Sequence, residues 1–523
     1  MKRLFMLLAV ITLSFVFAGC VQVTNDDEPL DCAATPFSTE CIETKTCTAP
    51  QVLKNGVCVD PEDNTTVDCI LQPNHESCNV VVVECELPEV NVNGECIVPV
   101  YVGPGLVNVL DTLPTENITI TFWHVYGQSK EALLQDYINE FKVLYPNITI
   151  EAESQGGYDD LRNKTILGIA SEQTPTMLVG YPDHVAVYLT AGAVVPLDDF
   201  VYDDTWGVDI NDFIGSYLDE NRQYTGGLMF SLPYSKSTEM MVFNKDKFEA
   251  MGQTIPMDRA LTWAELDALA DVMVGTGPNQ CEFLINFDSS ANFFINNVRM
   301  WDGGYTNSQG DILVDNANTK AMLQYVQTRF NDNTFALPIA WNQQYGSANF
   351  IAGDACMTVG STAGISYNIP PNGEFEIGVA PIPQYDLDNP SATQQGPNVA
   401  IMADTTDGER LAAWLFIKYI TEAEQTAKWS MLTGYLPVRY SGYTSDIYQE
   451  FLTNPDSDFI YESMTANAAY IQIGYNDYDP AFAGQITSAD AREEVGLAME
   501  TIFVGTATVQ QAIDDILSQL GAN

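Results

Sequence analysis

The chain reads as an α/β protein behind a small disulfide-rich repeat region, and three observations carry that reading. From about Asn117 onward the apolar residues switch between a period of two and a period near 3.6, the pattern of strands alternating with helices. Farther on, Thr262-x-x-Glu265 and Thr421-x-x-Glu424 have the form of capping boxes that open amphipathic helices. Between residues 32 and 96, eight cysteines fall in two sets of four at nearly equal spacing. A length of 523 residues with 46% hydrophobic content is enough for two or three folded domains.

The first element is a leader. Met1-Lys2-Arg3 precedes an apolar run from Leu4 to Phe17, and Phe17-Ala18-Gly19-Cys20 supplies small residues and a cysteine at the expected cut. The run is too short to span a bilayer stably. These residues resemble the signal of bacterial lipoproteins. The resemblance implies a signal peptide over 1–19, acyl chains on Cys20, a linker over 20–31 and a location on the outer face of the cell membrane, with the lipid as the sole membrane attachment.

The cysteine region spans 32–113. Cys32, Cys41, Cys47 and Cys58 are separated by 9, 6 and 11 residues, and Cys69, Cys78, Cys85 and Cys96 by 9, 7 and 11. Asn55-Gly56 and Asn93-Gly94 stand at matching places before the last cysteine of each set. Repeats of this size (32–58 and 69–96) bury too little apolar surface to fold without cross-links, so disulfides are expected within each, with the partners unassigned. A zinc site fits less well, because no close C-x-x-C pair is present. A spacer is one role for the region and adhesion to a surface glycan another. Cys281 and Cys356 stand apart and pair only if the fold brings them together.

Charge excludes some partners. The chain holds 21 basic and 70 acidic residues, and losing Lys2 and Arg3 with the leader leaves a net charge of −51. Nucleic acid and anionic lipid are poor partners for such a surface. His75, His124 and His184 are the only histidines, so a clustered histidine metal site has few candidates; no cofactor or metal is expected.

In the main region, Ile118, Ile120 and Phe122 alternate as a strand. Ser129 then caps a helix carrying Leu133, Leu134, Tyr137, Ile138, Phe141 and Leu144 at helical spacing. Tyr145-Pro146-Asn147 stops it, and Ile148-Thr149-Ile150 starts a second strand, making a β-α-β unit with a right-handed crossover. A helix from Tyr158 to Ser171 and a strand at Met177-Leu178-Val179 continue the pattern. Ligands are expected at the carboxyl ends of such strands.

Four blocks then carry a family resemblance: Phe122-Trp123-His124; Ser231-Leu-Pro-Tyr-Ser-Lys-Ser-Thr-Glu running to Phe243-Asn-Lys-Asp; Gly353-Asp354 through Met357-Thr358 to Ser361; and Thr433-Gly-Tyr-Leu-Pro-Val438. In order and spacing they resemble the extracellular solute-binding proteins of ABC importers, family 1, and in particular its glycerol-3-phosphate-binding members. The likeness covers roughly 117–520. It implies a two-lobed, class II periplasmic-binding-protein-like fold that closes on a solute by a hinge. Lobe 1 would span 114–228 and return over 394–432; lobe 2 would span 229–393 and return over 433–523. It further implies a monomer that hands its solute to an ABC permease.

Carried over residue by residue, the resemblance places ligand contacts at Tyr158, Ser237, Ser361, Gly396, Tyr435 and Arg492. Arg492 offers paired N–H donors to a phosphate, the two serines offer hydroxyls, Gly396 a close backbone amide and the tyrosines aromatic faces. Arg492 also lies beside Asp490, Glu493 and Glu494, where a surface ion pair worth about 0–1 kcal/mol is the plainer role. The family's acidic residue falls on Pro182, with Asp183 next to it as a stand-in. Its stacking tryptophan falls nearest to Phe287, and Trp301 is kept near Gly303-Gly304. The implied solute is glycerol-3-phosphate or a glycerophosphodiester, with a maltodextrin-type oligosaccharide as the alternative. An enzyme is not expected: no G-x-S-x-G, H-E-x-x-H or phosphate-loop pattern is present, and with 70 acidic residues a glycosidase pair carries no signal. A glycan-binding adhesin built on the cysteine repeats is the remaining alternative.

Overall fold

The computed structural model describes residues 106–473 and 475–522, and it places seven three-residue strands between Lys45 and Ile97. Val52–Lys54 pairs antiparallel with Val57–Val59, and Val90–Val92 pairs likewise with Glu95–Ile97 at the equivalent point of the second repeat. Lys45–Cys47 pairs with Cys78–Val80, so one repeat is joined to the other. The leader 1–19, the linker 20–31, Cys20 and the side chains of the eight repeat cysteines lie outside the described residues.

The main region forms two α/β lobes. Strands β1 (Ile118–His124), β2 (Ile148–Ser154) and β3 (Met177–Gly180) alternate with helices α1 (Gln128–Leu144), α2 (Tyr158–Ser171) and α3 (Pro182–Thr190). After the short β4 (Leu232–Pro233) the chain crosses to a second sheet of β5 (Glu239–Asn244), β6 (Phe283–Phe287), β7 (Phe335–Ala336), β8 (Ala355–Ser361) and β9 (Ile377–Ala380). Helices α4 (Trp263–Met273), α5 (Ser290–Met300) and α6 (Ala317–Asn331) pack on it. It then returns through β10 (Asn398–Ile401), α7 (Asp407–Ile420) and α8 (Ala423–Thr433), and ends with α9 (Ser488–Phe503) and α10 (Val509–Gln519). The first sheet has the order β4-β10-β3-β1-β2 and the second β7-β6-β8-β5-β9.

Each sheet is parallel where helices cross over and antiparallel where the chain re-enters: β1 runs parallel to β2 and β3, while β10 runs antiparallel to β3 and β4. Strand β5 is buried at all six positions because both its faces are covered. Met241 and Phe243 join one apolar cluster, and Met240 and Val242 the opposite one. Thr262 caps α4 as expected, its hydroxyl accepting from Glu265 N while Glu265 accepts from Thr262 N.

Three expectations are corrected. Ser129 lies inside α1, whose N-cap is Gly127 without a side-chain cap. Thr421 ends α7 instead of opening α8: its hydroxyl donates back to the Ile417 carbonyl at 2.9 Å, leaving Glu422 to precede α8. The lobe limits also move. Met229, Leu232 and Tyr234 belong to the first core, as do Tyr435, Val438, Tyr440, Tyr443, Tyr448 and Phe451, so the chain rejoins lobe 2 only from the helix Ile460–Ile471 onward. Large aromatic side chains decide this, since each removes more apolar surface from water than its polar neighbours can. Cys281 and Cys356 form a disulfide, with Cα atoms 5.6 Å apart, inside the second lobe.

Candidate functional site

Two chain segments cross between the lobes side by side, and a first-lobe segment at Leu436 lies against them. Ser237 and Gln395 exchange backbone hydrogen bonds at 2.8 Å in both directions, and Leu436 N donates to Lys236 O at 2.7 Å. Gly396 makes this approach possible. Its φ of +97° is open chiefly to glycine, and a Cβ there would stand 2.1 Å from the Ser235 carbonyl oxygen. Beneath the crossing, the buried Lys236 ammonium donates to a Glu220 carboxylate oxygen, to Gly396 O at 3.0 Å and to Asn398 Oδ1 at 3.4 Å. Burial pushes the Lys236 pKa down and the Glu220 charge opposes that shift.

Above the crossing lies a cleft of about 870 Å³ between the lobes. Its first-lobe wall comes from the start of α2 and α3. Gly157 caps α2, with Asp160 accepting from its N–H, so that Tyr158 and, one turn later, Arg162 face the same way. Tyr181 packs on Tyr158 with ring centres 4.5 Å apart, and Asp183 and His184 follow at the start of α3. Burial holds the His184 pKa below its ordinary value, so it adds no charge near neutrality. The second-lobe wall comes from Asp288 after β6, the loop at Gln343-Gln344, and α9, where Thr487 and Asp490 form a capping box two residues before Arg492. Asp288 accepts from Gly346 N at 2.6 Å, and burial pushes its pKa up to about 6.

Arg492 is held from two sides. Nη1 donates to Asp479 Oδ2 at 3.0 Å and Nη2 to Asn292 Oδ1, while a third of the side chain stays exposed to the cleft. Arg162, on α2, also lines the cleft, on the first-lobe wall. Two guanidiniums therefore meet a set of carboxylates that includes Asp159, Asp183, Glu220, Asp288 and Asp479. The arrangement suits a solute that brings both an anionic group and several hydroxyl donors. Gln394 Oε1 and Arg162 Nε are buried without a hydrogen-bond partner among the described residues. Among the described residues no group of three or more histidine, cysteine or acidic side chains is placed to hold a metal, and no helix is long and apolar enough to cross a membrane.

The structure brings Tyr158, Asp183 and Arg492 together on the cleft. Tyr435 stands behind Tyr158, their hydroxyls 3.3 Å apart. Ser237 and Gly396 lie in the crossing itself, where Gly396 serves close chain packing. The Ser361 hydroxyl accepts from Ala363 N at 3.3 Å at the end of β8, opposite Glu239. Phe287 and Trp301 are placed differently from the expectation of stacking on a solute. Phe287 stacks on Phe293 at 3.8 Å in the second core, and Trp301 stacks on Tyr385 at 4.0 Å near Trp263. A buried aromatic neighbour removes more of each ring from water than a cleft edge does. Arg162, Tyr181, Asp288, Gln394 and Asp479 were not anticipated. For Arg162 a signal existed, because it follows Tyr158 by four residues on one helix face; for Gln394 and Asp479, in irregular segments, none did.

Comparison with known proteins agrees with this architecture. The sn-glycerol-3-phosphate-binding periplasmic protein UgpB of Escherichia coli K12 is 21% identical over 414 residues, covering 76% of this chain and 90% of its own. The solved structure of UgpB from Mycobacterium tuberculosis in complex with glycerophosphocholine superposes with a TM-score of 0.64 at 21% identity, over 77% of this chain and 97% of that one. The cyclic α-maltosyl-1,6-maltose-binding protein of Arthrobacter globiformis gives a TM-score of 0.62 at 18% identity, over 78% and 98%. At these identities the structures show a shared two-lobed fold. The family described as bacterial extracellular solute-binding protein matches residues 136–455, more than half of the sequence, and the chain belongs to that family.

Proposed function

We propose that this protein is the lipid-anchored receptor of an ABC importer, capturing a phosphorylated glycerol or a glycerophosphodiester outside the cell and delivering it to the membrane permease. One observation carries the choice of solute: Arg492 reaches the cleft already oriented by Asp479 and Asn292, with the Arg162 guanidinium on the opposite wall. A phosphate held between them would gain charge-assisted, bidentate contacts. Asp183, on the first-lobe side, is positioned to accept from solute hydroxyls. The lipid on Cys20 would keep the receptor at high effective concentration beside the permease, and the repeats would set its reach.

A second reading is favoured by the size of the cleft and its carboxylate set. About 870 Å³ exceeds what a glycerol phosphate fills, and carboxylates beside Tyr158 and Tyr181 suit the hydroxyls and carbon faces of an oligosaccharide.

Calorimetric and thermal-shift titration of the mature chain with glycerol-3-phosphate, glycerophosphocholine and maltodextrins separates the two. The expected result is binding and stabilisation by a phosphorylated solute, since a ligand bound only by the folded state raises its stability. Stabilisation by maltodextrin alone transfers the assignment to the second reading, and none by any polyol or sugar removes both.

A further inference from the structure

Behind Arg492 lies a buried carboxylate that does not itself line the cleft. Glu239 begins β5 directly after the first crossing segment and is 3% exposed. Its two oxygens accept from Asn292 Nδ2 and Asn296 Nδ2, each at 2.8 Å. The second Asn292 N–H donates to Gln395 Oε1 at 3.1 Å, in the second crossing segment. With both amide hydrogens committed, only Oδ1 of Asn292 is left to face the Arg492 guanidinium, which donates to it. Asn296 is fixed as well, its Oδ1 accepting from Thr393 Oγ1 at 2.7 Å. The side-chain path from Glu239 through Asn292 to Arg492 thus touches a crossing segment on its way to the cleft wall.

We propose that Glu239 is the positioning residue of Arg492, acting through Asn292, and that its charge is coupled to occupancy of the Arg492 site by an anionic group. The coupling half rests on the phosphorylated-solute reading; the positioning half rests on the network alone.

The side chains that hydrogen-bond the Glu239 carboxylate do so as donors, so the ionised form satisfies the network as it stands. A proton on Glu239 requires one amide to turn over. Asn296 can turn, because the Thr393 hydroxyl accepts as readily as it donates, whereas turning Asn292 would set its NH2 against the guanidinium. Protonation therefore removes a negative charge behind Arg492 while leaving Asn292 in place. The charged groups that face Glu239 are Arg492 on α9 and Asp288 after β6; Asn292, Asn296 and Gln395 beside it are uncharged. Burial pushes the Glu239 pKa up to about 7, against the Arg492 charge, so the switch falls near neutrality. An anion on Arg492 adds negative charge near Glu239 and raises its proton affinity, so binding takes up a proton and tightens as pH falls through 7.

The test uses the mature chain and glycerophosphocholine, whose diester phosphate does not titrate near 7 as a monoester does. Wild type is expected to bind with net proton uptake, read by calorimetry in buffers of different ionisation heat. Glu239→Gln, which keeps an acceptor for Asn292, is expected to bind more tightly than wild type at pH 8, with a pH profile flattened around 7 to the slope that Asp288 leaves near 6. Asp288 is intact in that variant, so its own titration cannot account for the flattening. Glu239→Ala and Asn292→Ala are expected to weaken binding roughly tenfold or more, the effect of losing one charge-assisted hydrogen bond. A ligand-free arm follows the Arg492 side-chain NMR signals with pH, expected to move with a midpoint near 7 in wild type and not in Glu239→Gln. Arg492 signals indifferent to the Glu239 substitutions overturn the proposal, as does an unchanged pH profile of binding in Glu239→Gln. Coupled Arg492 signals in a wild type that binds no phosphorylated solute uphold the positioning of Arg492 and remove the solute reading instead.

Discussion

The crossing between the lobes and the cleft above it are built from the same kinds of residue and behave in opposite ways. In the crossing, polar groups answer one another: Lys236 with Glu220, Gly396 and Asn398, and Ser237 with Gln395. On the cleft walls, carboxylates outnumber the guanidiniums, and Gln394 Oε1 and Arg162 Nε have no partner among the described residues. Buried polar groups are stabilising only as completed networks, so the crossing holds the lobes together, while the cleft leaves the exposed part of Arg492 and its carboxylates open to a solute. The difference separates residues that hold the fold from residues left open to the cleft.

Substitutions can break that separation, beginning with the crossing. Lys236→Met leaves Glu220 buried without its cation, and a loss of about 3–5 kcal/mol in denaturant unfolding is expected. Gly396→Ala combines positive φ with a Cβ driven against the Ser235 carbonyl, and a loss of about 3 kcal/mol should appear in the same measurement. On the cleft side, Arg492→Ala is expected to abolish calorimetric binding of a phosphorylated solute while costing less than about 1 kcal/mol of stability, because its ion pair is part-exposed. A loss as large as that of Lys236→Met would merge the two regions into one.

The gentlest probe is pH. Burial raises Glu239 to about 7 and Asp198 and Asp288 to about 6, above their unfolded values. Between the unfolded and folded pKa values the folded state binds more protons, so stability falls as pH rises through that window. The melting temperature of the ligand-free protein is therefore expected to be higher at pH 5 than at pH 8, by a margin that narrows in Glu239→Gln.

Much of the fold could be read from residues whose signal is local. The period-two run at Ile118–Phe122 and the helical spacing from Leu133 to Leu144 name their elements because burial on one face imposes those periods. Thr262-x-x-Glu265 marks a true helix start, but Thr421-x-x-Glu424 does not, since a threonine hydroxyl can equally bond back to the preceding turn. Cleft-lining positions were legible where they stand on regular elements, as with Tyr158 on α2 and Arg492 on α9. Tertiary packing decided the rest. Nothing local tells that Phe287 finds Phe293, that Asp479 reaches Arg492, or that Tyr435–Phe451 docks on the first lobe.

The covalent link between Cys281 and Cys356 has a mechanical meaning. Both cysteines sit in one lobe, on its own sheet and beside it, and neither reaches across the crossing. A clasp spanning the two halves would lock the receptor in one posture and prevent it from ever releasing cargo. Placed within a single jaw, the bond stiffens what must move as a unit and leaves the bite itself free.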